Sequence, residues 1–395
     1  MADQSTDNTT LSYKQRFLRA LTTVVVTTIG LNAVAIAAEG ITADRIKLGQ
    51  SAPLTGALAK LGTDYRDGAA LYFKRVNDNG GINGRSIDLV TLDDAYVVDK
   101  TVENVKRLLV VEQVFALFNM FGTGQTRAIL PLATQAKTPI FSTYSGADVL
   151  RTAESRYIFH TRAGYPEETD TLLKQVSDFG FSKVAVAYQD NDFGKAALRA
   201  TEAAARKRGA QLLGSVAVDV NSAGMEKTVA SVLALQPDAV LVLTAGRSSI
   251  DFMMQYRKAS PFTWLLALSV VSSKELVAAL GEQARGIVVS QVVPYPWGSA
   301  QVAVVKEYQS YLEKAGKTKD SYSYAGLEGF ISAKVFSEAL RRSGRDLSRE
   351  KLIATLETMG KIDVGGFTVT YAPGDHSGSK FVDTTIISRG GKFIR

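Results

Sequence analysis

The stretch IKLGQSAPLTGALAKLGTDYRDGAALYFKRVNDNGGINGRSIDLVTLDD, Ile46 to Asp94, decides the fold. IKLGQSAPL is a short apolar run that reads as a strand. The next segment places Tyr65, Ala69, Tyr72, Phe73 and Val76 at helical spacing, so one face of a helix is apolar. NDNGGINGR then ends the helix and turns the chain, because Asn and Gly tolerate the left-handed conformations that helix ends and tight turns need. SIDLVTLDD is the second strand. Two strands joined by a helix form a parallel pair, since a parallel connection needs a crossover of this length.

The same rhythm runs outward from there. TVENVKRLLVVEQ puts Val102, Val105, Leu108 and Leu109 on one helical face, VFALFNMF is a buried strand, TRAILPLATQA a helix and TPIFSTY a further strand. It resumes after Ile158 with strands KVAVAYQD, QLLGSVAVDV, DAVLVLTA, WLLALSV and GIVVSQVVP. Helices lie between them, one from Met225 to Leu235 with Met225, Val229, Val232 and Leu233 on one stripe. Strands alternating with helices give parallel sheets covered on both faces. A chain of 395 residues is too long for one core. The expected fold is therefore α/β, with two doubly wound parallel-sheet lobes. Helices dominate residues 300–359, and a β-rich tail follows, with Phe367, Val369 and Tyr371 alternating.

Composition narrows the function. The net charge is +7 with acidic and basic residues interspersed, so no concentrated basic patch points to nucleic acid. Absence of cysteine excludes disulfides, thiolate metal sites and a cysteine nucleophile. The only histidines are His160, in a hinge-like FHTR, and His376, in the turn PGDHSG. No cofactor and no metal is expected. At the N-terminus Lys14, Arg16 and Arg19 precede ALTTVVVTTIGLNAVAIAA, and Ala35-Ile36-Ala37 fits a small-x-small cleavage site. Residues 1–37 read as an export signal, with an uncleaved membrane anchor as the alternative, and the mature protein is expected in the periplasm.

GTGQT, Gly122 to Thr126, follows a strand and opens a helix. A helix N-terminus offers unpaired N–H groups and partial positive charge, and glycine lets a ligand approach the backbone. There is no Gly-x-x-x-x-Gly-Lys frame for a polyphosphate, and Gly-Thr-Gly-Gln-Thr-Arg is not a dinucleotide fingerprint. A small carboxylate suits it better. Thr123 and Thr126 either meet the ligand or cap the helix. Asp93, Asp94, Asp190 and Asp192 end strands and open helices, where turn and capping roles compete with acid or metal chemistry.

The opening stretch, TPIFSTYSGADVL, AYQDNDFGKAAL, VVPYPW and GLEGFISAKVFSEALRRSG occur in an order that resembles the periplasmic branched-chain amino acid binding proteins. These are the leucine/isoleucine/valine-binding receptors of ABC transporters, with the type I periplasmic binding protein fold. The likeness spans roughly Ile41 to Ile394. It implies two lobes joined by three crossovers, residues 41–158 with 294–364 and residues 159–293 with 365–395. It implies a monomer that closes on a small-molecule ligand and delivers it to a membrane permease, with no catalysis. A ligand-sensing receptor subunit and a two-lobed hydrolase or transferase are the alternatives.

By the same resemblance Gly122, Thr123, Gly124, Gln125, Tyr144, Ser145 and Gly146 hold a ligand carboxylate. Phe193 packs on the ligand, and Tyr165 stands beside the first crossover. Three positions depart from the amino-acid receptors. Ser269 stands where they carry an acid for the ligand ammonium, Leu61 replaces an early Tyr, and Gly246-Arg247 replace an aromatic. Losing an anion and gaining a cation suggests an organic acid, aromatic or dicarboxylic, with Arg247 as its bidentate partner. The alternative for Arg247 is an i,i+4 pair with Asp251. Trp297 either braces the second crossover or reaches the cleft rim.

Overall fold

The computed structural model describes residues 40–152, 156–298 and 301–394, so the expected export signal lies outside the described residues. The first sheet contains β1 (Arg45–Ala52), β2 (Ser86–Asp93), β3 (Ala116–Phe121), β4 (Ile140–Tyr144) and β5 (Ile158–Phe159), in the order β2-β1-β3-β4-β5 and parallel throughout. Its connections are α1 (Ala59–Asp78), α2 (Val98–Val110) and α3 (Thr123–Gln135). Every residue of β3 and β4 is buried, as expected for strands covered on both faces.

The chain then crosses to a second lobe through α4 (Tyr165–Asp178), β6 (Lys183–Gln189), α5 (Asp192–Arg208), β7 (Gln211–Val218), α6 (Met225–Ala234), β8 (Ala239–Leu243), α7 (Arg247–Ala259), β9 (Trp264–Ala267), α8 (Ser273–Leu280) and β10 (Val288–Gln291). It returns to the first lobe for α9 (Ala303–Lys314), α10 (Tyr324–Ser343) and α11 (Arg349–Thr358), then forms a small antiparallel sheet of β11 (Gly360–Asp363), β12 (Thr368–Ala372) and β13 (Asp375–Gly378). A third crossing brings β14 (Asp383–Ile387) antiparallel onto β10, with β15 (Phe393–Ile394) outside it. The second sheet runs β15-β14-β10-β9-β8-β6-β7.

The β-rich tail is thus divided. Val369 and Tyr371 bury in the first lobe's core beside Phe141 and Phe336, whereas Ile387 buries in the second lobe's core. The helical face expected in the opening stretch is the buried face of α1: Tyr65, Ala69, Tyr72, Phe73 and Val76 all lie inside. They meet α10, where backbones touch. A Cβ on Gly68 would sit 1.8 Å from the Gly326 carbonyl oxygen, and one on Gly329 would sit 2.0 Å from the Tyr65 carbonyl oxygen. Only glycine permits that approach. Among the described residues no helix is long and apolar enough to cross a membrane.

Candidate functional site

In open parallel sheets the strand carboxyl ends are where ligands bind. Here those ends face each other across the two lobes. Between them lies a narrow, closely walled pocket formed by Leu58, Tyr96, Phe121, Gly122, Thr123 and Tyr144 from the first lobe. Tyr165, Phe193, Ala245 and Val270 close it from the second. The lobes touch around it. Arg247 N–H donates to the Ala57 carbonyl at 3.3 Å, and Arg127 of α3 pairs with Asp192 of α5 at 2.8 Å.

The β3–α3 turn makes one end of the pocket. Gly122 holds φ 91°, and a Cβ there would lie 2.3 Å from Gln125 Oε1 and 2.9 Å from Tyr96 Cε2. No side chain caps α3, which leaves its first N–H groups without a side-chain partner at the pocket's edge. Thr126 is turned inward instead: its hydroxyl donates to the Gly122 carbonyl at 2.7 Å. Thr123 Oγ1 and Ser145 Oγ share a hydrogen bond of 2.8 Å, both buried. Gln125 braces the wall by donating to the Tyr96 carbonyl at 2.8 Å.

Aromatic rings make the rest. Phe121 and Tyr144 stack at 4.6 Å, Tyr96 meets Phe121 edge-on at 6.2 Å, and Tyr165 meets Phe193 edge-on at 5.5 Å. Of the residues expected from sequence, Gly122, Thr123, Tyr144, Tyr165 and Phe193 line this pocket, and Ser145 stands behind Thr123. Gly146 supports it indirectly: its carbonyl accepts from Tyr165 N–H at 2.7 Å, and a Cβ there would strike the Tyr165 ring. Gly124 faces Asp192 at the lobe contact.

Arg247 is a correction. Its side chain is 67% exposed and its Nε donates to Asp251 at 2.7 Å, the i,i+4 pair of α7. Gly246, at φ 60°, starts the helix so that the Arg247 backbone reaches Ala57 while its side chain leaves the pocket.

The cation that does lie beside the site is Arg162, in the first crossover, fully buried. It donates to Glu168 Oε1 at 3.4 Å and to Ser269 Oγ, stands 3.7 Å from Glu328 Oε1, and lies over the Tyr144 ring at 4.8 Å. Ser269 is therefore not an empty place in the cleft. Its hydroxyl meets Arg162, and its N–H donates to Glu168 Oε2 at 2.9 Å. Burial opposes the charge on Arg162, but Glu328 and Glu168 outweigh it and raise its pKa. Burial pushes Glu328 up to about 7, with Arg162 opposing and Glu168 adding to the rise. The available signal in sequence was the arginine of the crossover FHTR.

The remaining sequence candidates have structural partners. Asp93 accepts from Leu54, Thr55 and Ala95 backbone N–H groups, and Asp94 from Ser51, Thr101 and Tyr96 N–H, so both fix turns. His160 is buried between Thr143 and the Leu150 carbonyl, and burial holds its pKa well below the usual range. His376 stacks on Phe159 and pairs with Glu357. Among the described residues no group of acids and histidines is placed to hold a metal ion.

The comparisons with known proteins agree with this geometry. A family model described as periplasmic binding protein matches residues 45–388. A substrate-binding periplasmic protein from Ralstonia solanacearum is 30% identical, with a TM-score of 0.81 over 88% of this chain and 99% of that one. An extracellular ligand-binding receptor from Verminephrobacter eiseniae is 28% identical, with a TM-score of 0.82 over 89% and 100%. A Leu/Ile/Val-binding protein homolog 7 from Brucella abortus is 25% identical over 315 residues, 75% of this chain and 77% of its own length. The chain belongs to the periplasmic binding protein family, in its leucine/isoleucine/valine-binding-like type I branch.

Proposed function

We propose that this protein is the exported solute-binding component of an ABC transporter, which captures a small organic acid between its lobes and hands it to a membrane permease. The observation that carries the reading is the pocket at the facing strand ends. It combines an uncapped helix N-terminus and the Thr123–Ser145 hydroxyl pair with a ring of aromatic side chains. The first pair of features suits a carboxylate. The rings suit an apolar or aromatic body.

The described residues lining this pocket carry no charged side chain. An α-ammonium would then enter without a carboxylate partner, at the cost of burying an unpaired charge. Glu168 and Glu328 are engaged with Arg162. This favours an acid without an ammonium over a branched-chain amino acid. Residues 41–158 with 294–378, and 159–293 with 383–394, serve as the two jaws in this reading, because β12 and β13 pack on the first lobe and only β14 and β15 join the second sheet.

Isothermal titration calorimetry of the mature protein against benzoate, phenylacetate, octanoate, leucine and valine tests it. One-to-one binding of an acid, tighter than that of leucine by tenfold or more, is expected, with compaction seen by small-angle scattering. Tight leucine binding with no binding of the ammonium-free acids would overturn the ligand class.

A further inference from the structure

Tyr144 has a second side. Beyond it lies another narrow inter-lobe compartment, which Tyr144 also walls. Trp297 reaches this compartment, so the second crossover is not merely braced by it: the indole meets Tyr324 edge-on at 5.6 Å and also forms part of the wall. Lys274, at the start of α8 in the second lobe, lies over the Trp297 ring with Nζ 5.7 Å from its centroid. Nζ donates to the Asp320 backbone carbonyl. Among the described residues no carboxylate lies within ion-pair distance of it. Across the compartment Lys60 is already paired with Asp64.

Asp64, which also lines the compartment, and Asp320 act on Lys274 electrostatically from beyond ion-pair distance, so the ammonium faces the shared cleft without a direct ion-pair partner, an arrangement that suits an anion. The cation–π contact fixes the ammonium without neutralising it. We infer that this compartment is a second subsite, which takes an anionic terminal group of an elongated acid whose first carboxylate sits at Thr123 and Ser145. The inference rests on the proposed function and specifies its ligand as a dicarboxylate. The Tyr144 ring, stacked on Phe121 and held by Arg162 on its other contacts, separates the two ends.

The test is calorimetry with matched pairs: straight-chain dicarboxylates of four to ten carbons and terephthalate, each beside its monocarboxylate counterpart. At least one dicarboxylate is expected to bind tenfold or more tightly than its counterpart. Lys274→Met should remove that advantage and leave monocarboxylate binding within twofold, while Lys274→Arg should retain it. In a Trp264→Phe background Trp297 is the sole tryptophan. Both acids close the lobes, so a difference between them in Trp297 emission reports occupancy of the second compartment. If every monocarboxylate binds as tightly as its dicarboxylate, or Lys274→Met changes neither, the subsite is wrong while the first reading stands. Binding of no acid at all would overturn both.

Discussion

Arg162 and Glu328 face one another at 3.7 Å with both side chains buried, one in the first crossover and the other on the helix that covers the first sheet. Arg162 also holds Glu168 on the second lobe's first helix. One guanidinium therefore joins an acid from each lobe at the hinge, directly behind the Tyr144 ring. Burying such a pair yields little net stability, but removing one member leaves the other charge uncompensated.

Arg162→Met should destabilise the fold by about 3–5 kcal/mol, since two buried carboxylates lose their shared partner. Glu328→Gln should cost less, because Glu328 Oε1 has no hydrogen-bond partner to lose. Urea denaturation of both variants at pH 7 measures the difference. Equal effects would show that Arg162 does not carry the cluster.

Glu328 should make stability fall as pH rises from about 4.5 to about 7, against the rise that His160, held well below its ordinary 6.5, contributes below that value. Burial raises Glu328 from its ordinary value of about 4.5 to about 7, so across this window the folded state binds more protons than the unfolded one. Glu168 adds to the rise while Arg162 and Arg151 oppose it, and Tyr65 and Tyr144 also face the group. The slope from this one group is at most about 1.4 kcal/mol per pH unit. Denaturant midpoints measured from pH 5 to 8 should fall more steeply, or rise less, in the wild type than in Glu328→Gln. Identical profiles for the two proteins would exclude Glu328 as the titrating group.

Thr123→Val should weaken binding of the preferred acid about tenfold, the loss of one hydrogen bond of about 1.4 kcal/mol, with little change in melting temperature. Thr123 is fully buried, and Val nearly matches its shape. Ser145 loses its partner as well, so Ser145→Ala should show a smaller drop in the Thr123→Val background than alone. Additive losses would mean that the two hydroxyls act separately.

Arg247→Ala should leave ligand affinity within twofold. Its ion pair with Asp251 is an exposed i,i+4 contact, worth about 0.3–0.5 kcal/mol. A loss of tenfold or more would place its side chain in the ligand shell after all.

Arg127→Ala should act on closure alone. Arg127 and Asp192 meet across the cleft mouth on partly exposed side chains, so the pair exists only when the lobes are together. A two- to fivefold fall in affinity, vanishing at high salt, is expected from titrations at low and high ionic strength. A salt-independent loss would point to a contact with the ligand itself.

The sequence by itself determined the architecture. Tyr65, Ala69, Tyr72, Phe73 and Val76 announce the buried face of α1, and β3, apolar but for Asn119, announces a strand covered on both sides, because hydrophobic period is a local property of the chain. It also marked Gly122 and Thr123, since a glycine turn before a helix is a local anion cradle. It did not settle where side chains point once the helices are docked. Arg247 follows a glycine at a strand end, as a ligand-binding residue would, yet one turn along α7 Asp251 offers a nearer partner than the cleft. Tyr96 and Phe121 come together at the end of the first sheet, and Val270 joins them only when the two sheets face each other. Arg162 was an unremarked cation in a crossover until Glu168, Ser269 and Glu328 converged on it from separate segments. Those contacts depend on how the lobes close, and a pattern of neighbours along the chain carries no record of partners brought from a hundred residues away.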